Sequence, residues 1–150
     1  MVVDTSGLWR AFWLRGLRRD DVSVIGFQVR TAVLTPSTYV VSVSGEIDMH
    51  SSPALEEELN WVLGNGADNA IVDLVEVGFV DSTALKVLVE ALPRFADRGG
   101  QLILVSDDRR VQRTLEITGL AGKFAVETSL ADAIARIMVP ESEARRDAEG

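Results

Sequence analysis

The chain has 150 residues, with 15 lysines and arginines against 23 aspartates and glutamates, no cysteine and one histidine, for a formal net charge of −8. That length holds one ordinary domain with a single core. The lack of cysteine excludes disulfides, thiol chemistry and cysteine-bound metal, the lone His50 excludes a multi-histidine metal site, and the acidic balance argues against a nucleic acid partner.

Taken in order, the chain opens with Leu8 to Arg19, where Trp9, Phe12, Trp13 and Leu17 fall on one side of a helical wheel and most of the arginines fall elsewhere. The pattern predicts a short basic amphipathic helix within an N-terminal extension, residues 1–22, with Gly16 as its weak point. Such a helix folds back on its own domain, pairs with a second copy in a homodimer, or docks on a membrane or partner. Arg10 and Arg15 interrupt the apolar stretch and no small-residue cleavage site follows, so it does not read as a signal peptide. Elsewhere no apolar run approaches the roughly 20 residues that span a bilayer, so no integral membrane segment is expected.

Val24 to Arg30 and Tyr39 to Ser44 read as two strands, and Leu34-Thr35-Pro36-Ser37-Thr38 between them supplies the turn chemistry of an antiparallel hairpin. Gly45-Glu46-Ile47-Asp48 leads to Ser51-Ser52-Pro53, where Ser52 as cap and Pro53 at the first helical position announce a helix. Its core face is Leu55, Leu59, Val62 and Leu63, and Gly64-Asn65-Gly66 ends it.

The most informative stretch runs from Ala70 to Leu92. Ala70-Ile71-Val72-Asp73-Leu74 is the nearly continuous apolar run of a strand covered on both faces, continued loosely by Val77 and Phe79 past Gly78. From Leu85 the period changes, since Leu85, Leu88, Val89, Leu92 and Phe95 recur at three and four residues as the stripe of an amphipathic helix. Asp81-Ser82-Thr83 is therefore the turn between strand and helix. Asp81 is suited to cap the helix, because its carboxylate accepts from a free first-turn amide and meets the positive end of the helix dipole.

Gly99-Gly100 stops that helix, and Gln101 to Val105 is another buried strand. Ser106-Asp107 opens a third helix with Val111, Leu115 and Thr118 on one face and a basic cluster of Arg109, Arg110 and Arg113, which reads first as a solvated face. Phe124-Ala125-Val126 reads as a short strand, and Ser129 with Asp132 as the start of a last helix on Leu130, Ile134 and Ile137. Residues 139–150 form a charged tail expected to be disordered. Strands alternating with helices after a hairpin indicate an α/β layered fold over residues 23–138.

Three strings in this order, Gly45-Glu46-Ile47-Asp48, then Val72-Asp73-Leu74 through Phe79-Val80-Asp81-Ser82-Thr83-Ala84-Leu85, then Val111 to Leu120, resemble the signature of STAS domains, the fold of bacterial anti-sigma factor antagonists. The resemblance implies a single STAS-like domain with a central mixed, mostly parallel sheet, an N-terminal antiparallel hairpin and about four helices. It also implies a cytoplasmic protein that is no enzyme and binds no cofactor. By that likeness the unphosphorylated chain binds an anti-sigma factor with a serine/threonine kinase fold, frees the sigma factor, and is switched off by phosphorylation. The matching phosphoacceptor is Thr83, with Ser82 as the alternative, and the partner-binding residues are Asp48, Asp81, Ser82, Thr83, Ala84 and Leu85. Ala84 departs from the family's usual glycine and adds a methyl beside the hydroxyl that a kinase must reach.

Other readings meet specific obstacles. A nucleophilic Ser82 or Thr83 with His50 as base lacks the Gly-x-Ser-x-Gly elbow, and a nucleotide site lacks any glycine-rich phosphate loop. A STAS scaffold of a stress-signalling complex, or an accessory subunit of a lipid transporter without phospho-switching, shares the same motifs, and the Trp/Arg segment suits the latter.

Overall fold

The computed structural model describes residues 22–24 and 26–138. The amphipathic Leu8–Arg19 segment and the charged tail lie outside these residues. The elements are β1 (Val22–Val24), β2 (Phe27–Thr35), β3 (Thr38–Ile47), α1 (Ser52–Gly64), β4 (Asn69–Val80), α2 (Ser82–Ala96), β5 (Leu102–Val105), α3 (Arg109–Ile117), β6 (Ala125–Glu127) and α4 (Leu130–Met138). The strands form one six-stranded sheet in sequence order. The pairs β1–β2 and β2–β3 are antiparallel, while β3–β4, β4–β5 and β5–β6 are parallel.

Parallel strands added in one direction through crossovers of one hand must carry their helices on one face. The packing follows that rule. Leu55, Leu59 and Val62 of α1, Leu85, Leu88 and Phe95 of α2, and Val111 and Leu115 of α3 share a core with Val41, Val43, Val72, Leu74, Leu102 and Leu104 from alternate strand positions. The opposite face is covered by α4, whose Leu130 and Ala133 pack on Val40, Ile71, Ile103 and Val105. Residues Ala70 to Leu74 of β4 are buried throughout, because this strand is inside the sheet and covered on both faces.

Several local expectations shift. The strand read as Val24 to Arg30 is two strands, since Gly26 adopts φ +75° and turns the chain so that Val24 pairs with Phe27. The first residue of α1 is Ser52, and Ser51 stands before it with its side chain turned away from the helix amides. Helix α3 begins at Arg109 behind Asp108, which accepts the Arg110 amide at 2.8 Å, so Ser106-Asp107 precedes it and Thr118 is exposed beyond its end. The buried stripe of α2 includes Ala84, Val87 and Ala91, while Val89 and Leu92 are half-buried at its margin.

Candidate functional site

The end of the sheet where β3 and β4 finish together carries the candidate site. Ile47 lies opposite Val80 in the parallel register, and the Asp81 amide donates to the Ile47 carbonyl at 3.0 Å. Asp48 and Asp81 are therefore the first residues past the last rung of one ladder, on adjacent strands. The register reaches this rung through irregularities between Ser42 and Ser44 and between Gly45 and Glu46, which add length to β4. The Asp73 carboxylate props the first of them by accepting the Val75 amide at 3.1 Å.

Asp81 caps α2 as its residue type requires, its Oδ1 accepting the Ala84 amide at 3.0 Å. Its backbone is extended (φ −95°, ψ 179°), so the chain changes direction sharply from strand to helix. Ser82 and Thr83 are exposed on the first turn that results. Ala84 and Leu85, which the sequence groups with them as partner contacts, are 0% and 4% exposed and pack in the core. They support the turn from beneath and are not surface contacts of the isolated chain. The same burial removes the objection that the Ala84 methyl shields the neighbouring hydroxyl, because that methyl faces the core.

Asp48 is held by its own loop. Its Oδ1 accepts from the amides of His50 at 2.9 Å and Ser51 at 3.1 Å. The Ser51 hydroxyl donates to the Glu46 carbonyl at 2.9 Å, accepts the Asp48 amide at 2.9 Å, and lies 3.2 Å from Asp48 Oδ1. The His50 amide above all, then the Ser51 amide, hold the Asp48 carboxyl below its ordinary value. His50 itself is exposed, and its contact with Asp48 is through its backbone. The sheet end therefore presents two hydroxyls and two fixed carboxylates, that of Asp81 committed to capping and that of Asp48 held by the neighbouring loop.

Beside this end of β4 stands Arg110 of α3. Asp108 fixes its guanidinium through Nε at 3.1 Å and Nη2 at 2.8 Å. The Arg110 side chain holds the Asp108 carboxyl down to about 2, helped by the Arg110 amide. Nη2 lies 2.9 Å from where a Cβ on Gly78 would stand, so the bare backbone of Gly78 admits it. Within the basic cluster read from the sequence, Arg109 and Arg113 are exposed and Arg110 is ion-paired.

Two polar features went unread in the sequence. Glu58 is 1% exposed and accepts from the Thr31 hydroxyl at 2.7 Å. Its signal was present, because Glu58 stands at the helical interval of three from Leu55 and four from Val62, inside the apolar stripe. Arg110 over Gly78 has no such signal, since it depends on how α3 docks. Among the described residues no cluster of His, Cys, Asp or Glu could hold a metal ion, and no helix is long and apolar enough to cross a membrane.

A mostly parallel sheet that ends in a capped, exposed hydroxyl turn beside a second fixed carboxylate defines a small α/β module built to present one surface. The STAS domain model matches residues 30–133, more than half of the chain. The chain belongs to the STAS domain family. It is similar to the anti-sigma-B factor antagonist of Bacillus subtilis, 40% identical over 80 residues that cover 53% of this chain and 72% of that protein. The Staphylococcus aureus anti-sigma-B factor antagonist is 35% identical over 82 residues, covering 55% of this chain and 76% of that one. Among solved structures, an anti-sigma factor antagonist from Mycobacterium paratuberculosis superposes with a TM-score of 0.69 at 29% identity, over 78% of this chain and 99% of that chain.

Proposed function

We propose that this chain is a cytoplasmic anti-sigma factor antagonist, a regulatory protein and not an enzyme, switched off by phosphorylation of Thr83. The observation that carries the reading is the exposed Ser82-Thr83 turn, capped by Asp81 and neighboured across the sheet end by Asp48. The partner is an anti-sigma factor with an ATP-dependent kinase fold, and ATP is the ligand of that partner.

Two electrostatic effects set the switch. A phosphate on Thr83 adds about −1.5 to −2 charges at neutral pH. The first turn of α2 offers free amides and the positive end of a dipole, worth up to about 2 kcal/mol in a partly buried site, so the fold itself tolerates the phosphate. The carboxylates act the other way, since unit charges 4 Å apart repel by about 4 kcal/mol at an effective dielectric of 20. Water and salt relieve that repulsion on the free surface and are expelled from a docked one. Phosphorylation thus leaves the domain folded and ejects the partner.

A pull-down from cell extract with and without ATP identifies the kinase, which is then purified. Thr83→Ala is expected to bind it and resist phosphorylation, and Thr83→Glu to fold normally and lose binding. Phosphorylation of Thr83→Ala to the wild-type level would move the site to Ser82.

A further inference from the structure

Among the described residues four large apolar side chains are exposed, and two of them, Met49 at 65% and Phe79 at 50%, lie beside the hydroxyl turn. The other two, Ile117 and Met138, are the last residues of α3 and α4, where helices run out of core to cover. Met49 and Phe79 have no such excuse of position. Met49 follows Asp48 directly at the end of β3. Phe79 precedes Val80, whose side chain is in the main core, so strand alternation sends Phe79 to the other face. On that face α4 packs against Val40, Ile71, Ile103 and Val105, and among the described residues none buries Phe79 at this end of β4.

Single exposed apolar residues are ordinary. This pair differs in its surroundings. Met49 is one residue from Asp48 and Phe79 two residues from Asp81, at the ends of adjacent strands, and Phe79 lies in register with the exposed Glu46. Glu76, three residues before Phe79 on β4, is exposed as well. The composition matches that of an interface centre, an exposed aromatic and an exposed methionine with charged neighbours. The charges nearest in register and sequence are acidic, and the Arg110–Asp108 ion pair at Gly78 adds no net charge.

We propose that Met49 and Phe79 are the apolar anchors that hold the kinase-fold partner, so that affinity resides in these two side chains and Thr83 supplies the switch. The inference rests on the antagonist reading above. Charge decides the occupant. Glu46 lies opposite Phe79 in the register, Glu76 and Asp81 stand within three residues of it in sequence, and Asp48 precedes Met49. The Arg110–Asp108 pair at Gly78 adds no net charge and the chain carries −8 overall, so a second copy would set one acidic surface against another. The complementary surface is an apolar pocket edged by lysine or arginine.

The test uses the full chain and the purified kinase recovered by the pull-down. Phe79→Ser and Met49→Ser are compared with wild type for affinity and for steady-state phosphorylation. Each anchor truncation is expected to weaken binding, Phe79→Ser by roughly 30-fold or more, as central aromatic contacts do. The KM for the chain as kinase substrate should rise with kcat nearly unchanged, because an anchor contributes equally before and during phosphoryl transfer. Met49 lies in a loop, so Met49→Ser keeps the test valid if Phe79→Ser fails to fold. Wild-type affinity in both variants, against a wild-type chain that binds, overturns the anchors alone. A wild-type chain that binds no kinase overturns the antagonist reading, and the anchors with it. Sedimentation showing a dimer that Phe79→Ser dissolves would make the second copy the occupant and overturn the proposal.

Discussion

The Asp81 amide donates to the Ile47 carbonyl at 3.0 Å, and this one rung sets Asp48 and Asp81 side by side at the end of the sheet. Asp81 then spends its carboxylate on the Ala84 amide. Replacing Asp81 by alanine should cost about 1 kcal/mol of stability, the usual worth of an N-cap, while asparagine should retain most of it. Thermal unfolding of the two variants checks this. Equal destabilisation by both would show that the charge, and not the hydrogen bond, is what Asp81 contributes.

Asp48 makes a pH prediction whose direction is fixed by its contacts. Its pKa lies below the ordinary 3.8 because the folded loop donates to the charged form. A depressed folded pKa means a stabilising contribution that is complete above the unfolded value and is lost as pH falls through the folded one. Ser51→Ala removes the hydroxyl contact and keeps the His50 and Ser51 amides, so the Asp48 pKa should rise part of the way towards 3.8. A carboxyl NMR titration reads the change directly. No shift in the variant would show that the Ser51 hydroxyl serves Glu46 alone.

Asp108 follows the same rule, with its carboxyl held down to about 2. Its pKa of about 2 means that its pairing with Arg110 survives to strongly acid pH and fails only as pH falls from about 3.8 through 2. Arg110→Gln should return the Asp108 titration towards 3.8 by removing the largest cause of the shift. The Arg110 side of the pair is exposed and Asp108 is half-buried, so the melting temperature at neutral pH should move only slightly.

How much of this was legible depends on where the information lay. The period change at Leu85 and the acidic cap before it are local, and both β4 and α2 stand where the sequence placed them. The continuous apolar run Ala70 to Leu74 likewise announced a strand covered on both faces. The β1–β2 turn at Gly26 was not legible, because Val24 to Arg30 reads as one apolar run and the turn is set by a positive φ that the neighbours do not announce. Ser51 was passed over for Ser52, since both are capping residues and only the bond from Ser51 to Glu46 tells them apart. Within the candidate site, the capping by Asp81 and the turn of Ser82 and Thr83 could be read from local residue types, whereas the burial of Ala84 and Leu85 required knowing which way α2 rolls onto the sheet.

The buried pair Thr31 and Glu58 tests a polar contact inside the core. Both residues are 1% exposed and their hydrogen bond is 2.7 Å long. Thr31→Val preserves shape and removes the donor, leaving the Glu58 carboxylate short of one partner in a dry place. The expected cost is about 1–3 kcal/mol in denaturant unfolding, with an unchanged slope. A neutral result would mean that the remaining interactions of Glu58 satisfy it fully.

Two glycines near the site should respond very unequally to alanine. At Gly45, φ is +100°, and a Cβ would stand 2.0 Å from the Gly26 carbonyl oxygen. That oxygen also accepts the Glu46 amide at 3.0 Å, so it cannot retreat without breaking the link between β2 and the end of β3. Strained backbone and a clash with main chain each cost about 1–3 kcal/mol, so Gly45→Ala should lose about 3 kcal/mol or more. Because Asp48 lies three residues on, its lowered pKa should move as well. At Gly78 the Cβ would meet the far end of the Arg110 side chain at 2.9 Å, and that end is free to swing into solvent. Gly78→Ala should therefore cost under about 1 kcal/mol, the range of an exposed ion pair, while raising the Asp108 pKa as the guanidinium is displaced. Unfolding curves and an Asp108 titration on both variants check the contrast. A Gly78→Ala protein as unstable as Gly45→Ala would show that Arg110 cannot move aside, and that it braces the strand leading to Thr83.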